Sequence, residues 1–432
     1  MDCNFIDIKT YILNGCIKRP TIFRNFSQIK AWEALKLTPE ALSDILNDKK
    51  IKFRIGEIKQ NYPGVQWEGD CRYVHSTMKE FLAWIKKQNS GLDFKGIDPN
   101  ECWGYADYIY MRDLFGNITN FDVFDYVPWH TLGFGPNEGL DSTIWIGTKR
   151  ANTPCHYDTY GFNLVVQVFG SKRWVLFPPS DSEYLYPTRL PYEESSVFSG
   201  IDVVKPDVTR YPKYLKCHPY IVDLHPGDML YVPQHWWHYV ENMELSVSIN
   251  AWFPMENDAD NHICEAVTRL LVGSSMGYAE NHDIACCNWL NPTETMTSLS
   301  ENVTLLDRAL VQRLNMKAIY KTSPVEENRV DTTQTGCGCD SETSHLQDVN
   351  GVILKRYCLK HAAERFQHWK FLDDGDAFHE NIDSKRPRLN ESNAQSLSSV
   401  TFRDFVECLS QPSVVDCVRK ELLARVREKH SI

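Results

Sequence analysis

The sequence predicts a mainly β protein of sandwich or jelly-roll type, with mixed α/β structure before the sheets and helices after them. Three observations carry this. Between residues 142 and 255 the segments STIWIG, FNLVVQVF, KRWVLF, PYIVDL, DMLYVP and LSVSINAWF are short, apolar and separated by Gly, Pro and Asp clusters, which is the spacing of packed antiparallel sheets. Beyond residue 256 the period changes, and Ile263, Val267 and Leu270 share one helical face. The chain is 432 residues long, 42% hydrophobic and 12% aromatic, enough to fill a large core.

In chain order, Thr38-Pro39-Glu40 opens a short helix with proline in its first turn, and a strand-like IKFRIG follows. Thr77 and Glu80 form a capping box before FLAWIKK, where Phe81, Trp84 and Ile85 fall on one face. WGYADYIYM then reads as a strand. A second carboxy-terminal helix is expected over about 298–320, a lone short helix over 351–372, and two more in TFRDFVECL and PSVVDCVRKELLARV. Residues 321–350 and 379–400 are polar and poor in aromatics, the composition of disordered chain. The expected organisation is a unit over 1–255, with an α/β flank at 1–130 and a β core at 131–255. A helical extension at 256–320, a largely disordered linker at 321–400 and terminal helices at 401–432 complete it.

The formal charge of −11 gives no general attraction for nucleic acid or anionic lipid. No run approaches the roughly 18 apolar residues of a membrane span. The amino end, MDCNFIDIKTYILNG, lacks the basic start and apolar run of a signal peptide. The 14 cysteines follow no regular framework, so reduced thiols and a cytoplasmic location are expected. Lys385-Arg386-Pro387-Arg388 is either a nuclear import signal or solvated charge. Cys337, Cys339, Cys358 and His361 fit no common zinc spacing and read as free thiols and a histidine.

The chemistry centres on TPCHYDTYGFN, residues 153–163. In an extended strand, residues two apart share a face, so His156 and Asp158 project together while Tyr157 turns away. Imidazole and carboxylate on one face make two-thirds of a facial triad for ferrous iron. Two histidines compete for the third place. His238 lies in the apolar run WWHYV and shares a face with Trp236, whereas His235 adjoins a Pro-Gln turn; His238 is preferred. Gly170-Ser171 suits a two-residue type II′ hairpin, pairing Phe169 with Lys172 and Gln167 with Trp174. That register puts Asn163, Val165, Gln167, Lys172 and Trp174 on one side. A lysine among apolar walls requires a fixed negative charge, which a bound dicarboxylate would supply.

TPCHYDTYGFN, VFGSKRWVLFPP, PGDMLYVPQHWWHYV and SVSINAWF resemble, in order and spacing, the JmjC family of iron(II)- and 2-oxoglutarate-dependent dioxygenases. The hydroxylase branch, typified by an asparaginyl hydroxylase, is nearer. The stretch LYPTRLPYEESSVFSGIDVVKPDVTRYP is similar to JmjC proteins that associate with small heat-shock proteins. The resemblance implies a double-stranded β-helix (cupin) core, iron ligands His156, Asp158 and His238, and Lys172 on the far carboxylate of 2-oxoglutarate. Thr153 and Tyr108 would assist with hydroxyls, Tyr110 being the alternative to Tyr108, while Asn163 and Asn250 line the same pocket. One departure is an extra residue between Asp158 and Asn163, so the turn after the metal strand is expected to differ.

Dioxygen as co-substrate and hydroxylation of a protein side chain, with release of succinate and carbon dioxide, are implied; N-methyl-lysine demethylation is the variant. A role in the stress response is the corollary. The other function class is a binding protein that holds a partner such as a small heat-shock protein. The helices after residue 256 offer a homodimer contact.

Overall fold

The computed structural model describes residues 8–15, 17–24, 26–59, 64–88, 91–119, 121–135, 139, 141–187, 196–276, 297–321, 351–354 and 408–430. Its strands are β1 (Thr21–Phe23), β2 (Lys50–Glu57), β3 (Arg72–Thr77), β4 (Cys102–Tyr110), β5 (Thr143–Gly147), β6 (Asn152–Asp158) and β7 (Phe162–Phe169). β8 (Lys172–Phe177), β9 (Ser196–Phe198), β10 (Tyr220–Leu224), β11 (Met229–Val232), β12 (Trp237–Asn242), β13 (Ser246–Phe253) and β14 (Gly351–Ile353) follow. Among the described residues they form two antiparallel sheets, β14-β1-β11-β7-β13-β5-β4-β2-β3 and β10-β8-β12-β6-β9. The expected jelly roll is therefore present. Because β1 to β4 extend the larger sheet, the amino-terminal flank and the β core share one layer.

The flank forms as its local signals dictate. Thr38 accepts from Ala41 N at 3.1 Å to start the helix Pro39–Leu46. Thr77 and Glu80 complete the capping box of Met78–Ile85. Phe81 and Trp84 of that helix are buried, with Phe81 stacked on Phe53 of β2 at 4.1 Å. Side chains of this kind fix the outer face of the larger sheet.

The Gly170-Ser171 turn requires a correction. β7 pairs with β11 and β13, whereas β8 pairs with β10 and β12, so Phe169 and Lys172 are not ladder partners. The turn is a corner that carries the chain from one sheet to the other. Asn163, Val165, Lys172 and Trp174 still share a space, because the inner faces of the two sheets oppose each other. Gly170 has φ 63°, and a Cβ there would lie 2.1 Å from the Leu245 carbonyl oxygen. Gly170→Ala should therefore destabilise by about 1–3 kcal/mol, read as a lowered denaturant midpoint.

The helices Asp258–Met276, Leu299–Lys321 and Pro412–His430 pack around Ile263, Val267, Leu306, Leu310, Val415 and Leu423. Asp260 joins them by ion pairs to Arg313 (3.1 Å) and Arg419 (2.8 Å). The expected helix over 351–372 is corrected at its start. Gly351–Ile353 is a strand along the free edge of β1, and Leu354 is buried beside it. Three backbone pairings and a covered apolar edge outweigh helix propensity there. Residue 321, expected in the disordered segment 321–350, instead ends the helix Leu299–Lys321, while 322–350, 355–372, 379–400, the candidate zinc residues, the basic run at 385–388 and TFRDFVE at 401–407 lie outside the described residues. No helix of the described residues is long and apolar enough to cross a membrane.

Candidate metal centre and co-substrate chamber

The two histidines and the aspartate come together by sheet register. β6 and β12 are neighbours, and His156 stands directly opposite His238. Their rings lie 4.2 Å apart between centroids. Asp158, two residues along β6, projects to the same side, with Oδ1 3.6 Å from His156 Nε2 and Oδ2 3.9 Å from His238 Nε2. One donor atom from each residue fits within 4.8 Å of the others.

Each ligand is oriented from behind. His156 Nδ1 donates to the Pro154 carbonyl at 2.8 Å, and His238 Nδ1 donates to the Trp236 carbonyl at 2.9 Å. Both leave Nε2 free toward the centre, the tautomer a metal ligand needs. Trp252 Nε1 donates to Asp158 Oδ2 at 2.9 Å and fixes the carboxylate. Burial, with His156 adjacent, holds the His238 imidazole pKa down at about 4, so it is a neutral ligand at physiological pH. Two imidazoles and one carboxylate suit a divalent first-row ion, with three open positions.

His235 does not join this group. It sits at φ 64° and its Nε2 bonds the Thr159 carbonyl at 3.1 Å. His235→Asn, which tolerates that backbone, should retain iron at the wild-type stoichiometry, whereas His238→Asn should not, as read by ferrous-chelator assay.

Behind the triad lies a chamber of about 40 Å³ between the sheets, lined by Thr153, Asn163, Lys172, Trp174, Ser248 and Asn250 among others. Lys172 is 2% exposed and donates to the hydroxyls of Ser248 (2.7 Å) and Tyr105 (3.2 Å). No carboxylate among the described residues lies within ion-pair distance of its ammonium group. Burial pushes its pKa down to about 7, with the Asp107 carboxylate opposing that shift. An ammonium held this way fits an incoming carboxylate. Asn250 Nδ2 donates to Asn163 Oδ1 at 2.9 Å, and Trp145 Nε1 and the Thr143 hydroxyl bond Asn250 Oδ1.

Tyrosine placement separates the candidates. Tyr108 and Tyr110 line the outer cleft, their hydroxyls 3.3 Å apart, and the chamber tyrosine is Tyr105. A register shift between Ala106 and Ile109, with Tyr108 at φ 53°, breaks the two-residue period of β4. Taken singly, Tyr105 reads as core packing, and no periodic signal reveals the bulge. Ser248 and Trp252 were also missed as site residues; their alternation with Asn250 in SVSINAWF is the signal that marks them. After Asp158 the chain turns at Gly161, φ 60°, whose N–H donates to Asp258 Oδ1 at 2.9 Å.

The outer cleft measures about 1210 Å³ and runs from Lys49 past His156 and Asp158 to His262 and Gln312 on the helices. It meets the chamber at Trp145, Thr153, His156 and Trp252.

Residues 15–259 match the family described as a cupin-like domain. The HSPB1-associated protein 1 of Bos taurus is 45% identical over 318 residues, which cover 73% of this chain and 63% of the bovine one. The HSPB1-associated protein 1 homolog of Danio rerio is 43% identical over 447 residues, 96% of each chain. The lysine-specific demethylase JMJ30 of Arabidopsis thaliana is 30% identical over 208 residues, 48% of this chain and 43% of that one. The match thus spans less than two thirds of the bovine relative. With the family match extending over the whole site, the chain belongs to the cupin-like JmjC family that its motifs resemble.

Proposed function

We propose that this chain is an iron(II)- and 2-oxoglutarate-dependent dioxygenase that hydroxylates a protein side chain, releasing succinate and carbon dioxide. The carrying observation is the conjunction of an oriented His156, Asp158, His238 triad with a buried Lys172 that lacks a carboxylate partner among the described residues. In this reading the triad holds the iron and Lys172 holds the far carboxylate, with Thr153 and Tyr105 beside it. Bound there, iron and 2-oxoglutarate supply activation of dioxygen for C–H oxidation.

The protein's own part is placement and exclusion of water. His156 and Asp158 are part-exposed at 12% and 15% of their side chains, facing the cleft, while His238 at 4% closes the inner side. Among the described residues, the cleft is the approach by which a target side chain reaches the centre. Its extent from the amino-terminal flank to the helical extension suits a polypeptide better than a small metabolite. The tyrosine and tryptophan rings at its floor, Tyr108, Trp145 and Trp252, keep the approach apolar.

A methylated lysine would meet the same chemistry and lose formaldehyde; the JMJ30 relative, named a lysine-specific demethylase, favours that second reading. The names of the bovine and zebrafish relatives support a small heat-shock protein as partner and, with it, a role in the stress response. A homodimer would use the exposed Leu299, Val303 and Val311 of the helical region. The free thiols among the described residues suit a cytoplasmic location, nuclear entry resting on the run at 385–388.

Succinate formation from 2-oxoglutarate, set against mass-spectrometric gain of one oxygen in a captured protein, tests the reading. The pH dependence adds a check. Lys172 must be protonated to hold a carboxylate, and without one its pKa is about 7. Binding above that pH takes up a proton, so 2-oxoglutarate affinity should fall by up to about tenfold per pH unit from pH 7 upward. Calorimetry in buffers of different ionisation enthalpy reads the proton uptake. For the unliganded fold the sign is opposite: the depressed lysine pKa makes this group less destabilising as pH rises from about 7.

A further inference from the structure

Trp174 sits on β8 two residues beyond Lys172, on the same face, and lines the chamber. It is 5% exposed, and its indole Nε1 is a buried donor with no hydrogen-bond partner. A buried N–H left unpaired costs about 1–3 kcal/mol, so such a donor on a side chain that lines the chamber calls for an acceptor. The surrounding acceptors are already committed. Asn250 Oδ1 serves Trp145 and Thr143, Asn163 Oδ1 serves Asn250, and the Ser248 hydroxyl serves Lys172.

The position of the ring is as informative as its donor. In the ladder between β8 and β12, Lys172 stands opposite Asn242, Trp174 opposite Val240, and Leu176 opposite His238. Trp174 therefore lies between the buried ammonium and the triad. Its ring stacks on His238 at 5.6 Å and 28°. One side chain borders both the metal ligand and the space where a dicarboxylate would lie.

We propose that Trp174 is a co-substrate-positioning residue whose indole N–H donates to an oxygen of 2-oxoglutarate bound in the chamber, while its ring keeps His238 in place. This rests on the dioxygenase reading of the same site. A ligand of suitable length and charge is then gripped by two donors from β8, the Lys172 ammonium and the Trp174 indole.

Trp174→Phe separates the two roles, since it removes the donor and retains an aromatic ring against His238. The test is calorimetric binding of 2-oxoglutarate to the full chain loaded with Mn(II), an oxygen-stable substitute for Fe(II). It is paired with the indole N–H resonances of ¹⁵N-tryptophan-labelled protein loaded with diamagnetic Zn(II). The expected result is a loss of affinity of about 10- to 150-fold in Trp174→Phe with unchanged metal stoichiometry, the scale of one hydrogen bond to a charged group. The resonance absent from the variant should move downfield in the wild type on adding 2-oxoglutarate. Equal affinities, or a Trp174 resonance that 2-oxoglutarate leaves in place, would overturn the proposal even where wild-type binding is intact. Absence of 2-oxoglutarate binding in the metal-loaded wild type would instead overturn the dioxygenase reading, and this inference with it.

Discussion

Asp158→Ala should reduce iron retention from one ion per chain to a level set by two imidazoles alone, and bring succinate formation below detection. The carboxylate is the only anionic group of the triad, and the Nε2 atoms of His156 and His238 lie 3.6 and 3.9 Å from its two oxygens. Removing it leaves Trp252 Nε1 without its acceptor as well. Loss of a single outer partner of a metal ligand typically weakens binding about 10- to 100-fold, so loss of the ligand should exceed that. The fold should survive, because Asp158 is the last residue of β6 and is part-exposed. Circular dichroism alongside metal analysis reads both.

The second large effect is expected at Lys172. Lys172→Met should weaken 2-oxoglutarate binding by about 100-fold or more, the scale of removing one partner of a buried charge pair. The same change should raise the melting temperature of the unliganded protein. Two hydroxyls and no carboxylate surround the ammonium, so an apolar chain of similar length removes a desolvation cost that the free protein bears. Opposite signs for ligand affinity and stability mark a group kept for binding. A lysine kept for packing would lose both.

The triad was legible because two simple periods sufficed. His-x-Asp shares a strand face by geometry, and His238 rather than His235 lies within a continuous apolar strand. Lys172 was legible as a lysine among strand residues. The route to its facing was wrong, however, since Gly170-Ser171 carries the chain between sheets. A tight turn with positive φ has the same sequence chemistry in a hairpin and at a sheet corner, and only the pairing partners β10, β11, β12 and β13 decide. Tyr105 and Tyr108 were not separable for a related reason. A bulge shifts face parity without a residue type that announces it, and Tyr108 adopts φ 53° with a full side chain. β14 is three residues long, too short for any period, and its strand conformation follows from the open edge of β1 far away in sequence.

Measured succinate formation from isotope-labelled 2-oxoglutarate by the iron-loaded chain, compared with its Asp158→Ala variant, bears most directly on the central claim. Labelled succinate from the wild type, with none above background from the variant, is the predicted result. A wild-type chain that neither retains iron nor forms succinate, or a variant that matches it, would contradict the assignment.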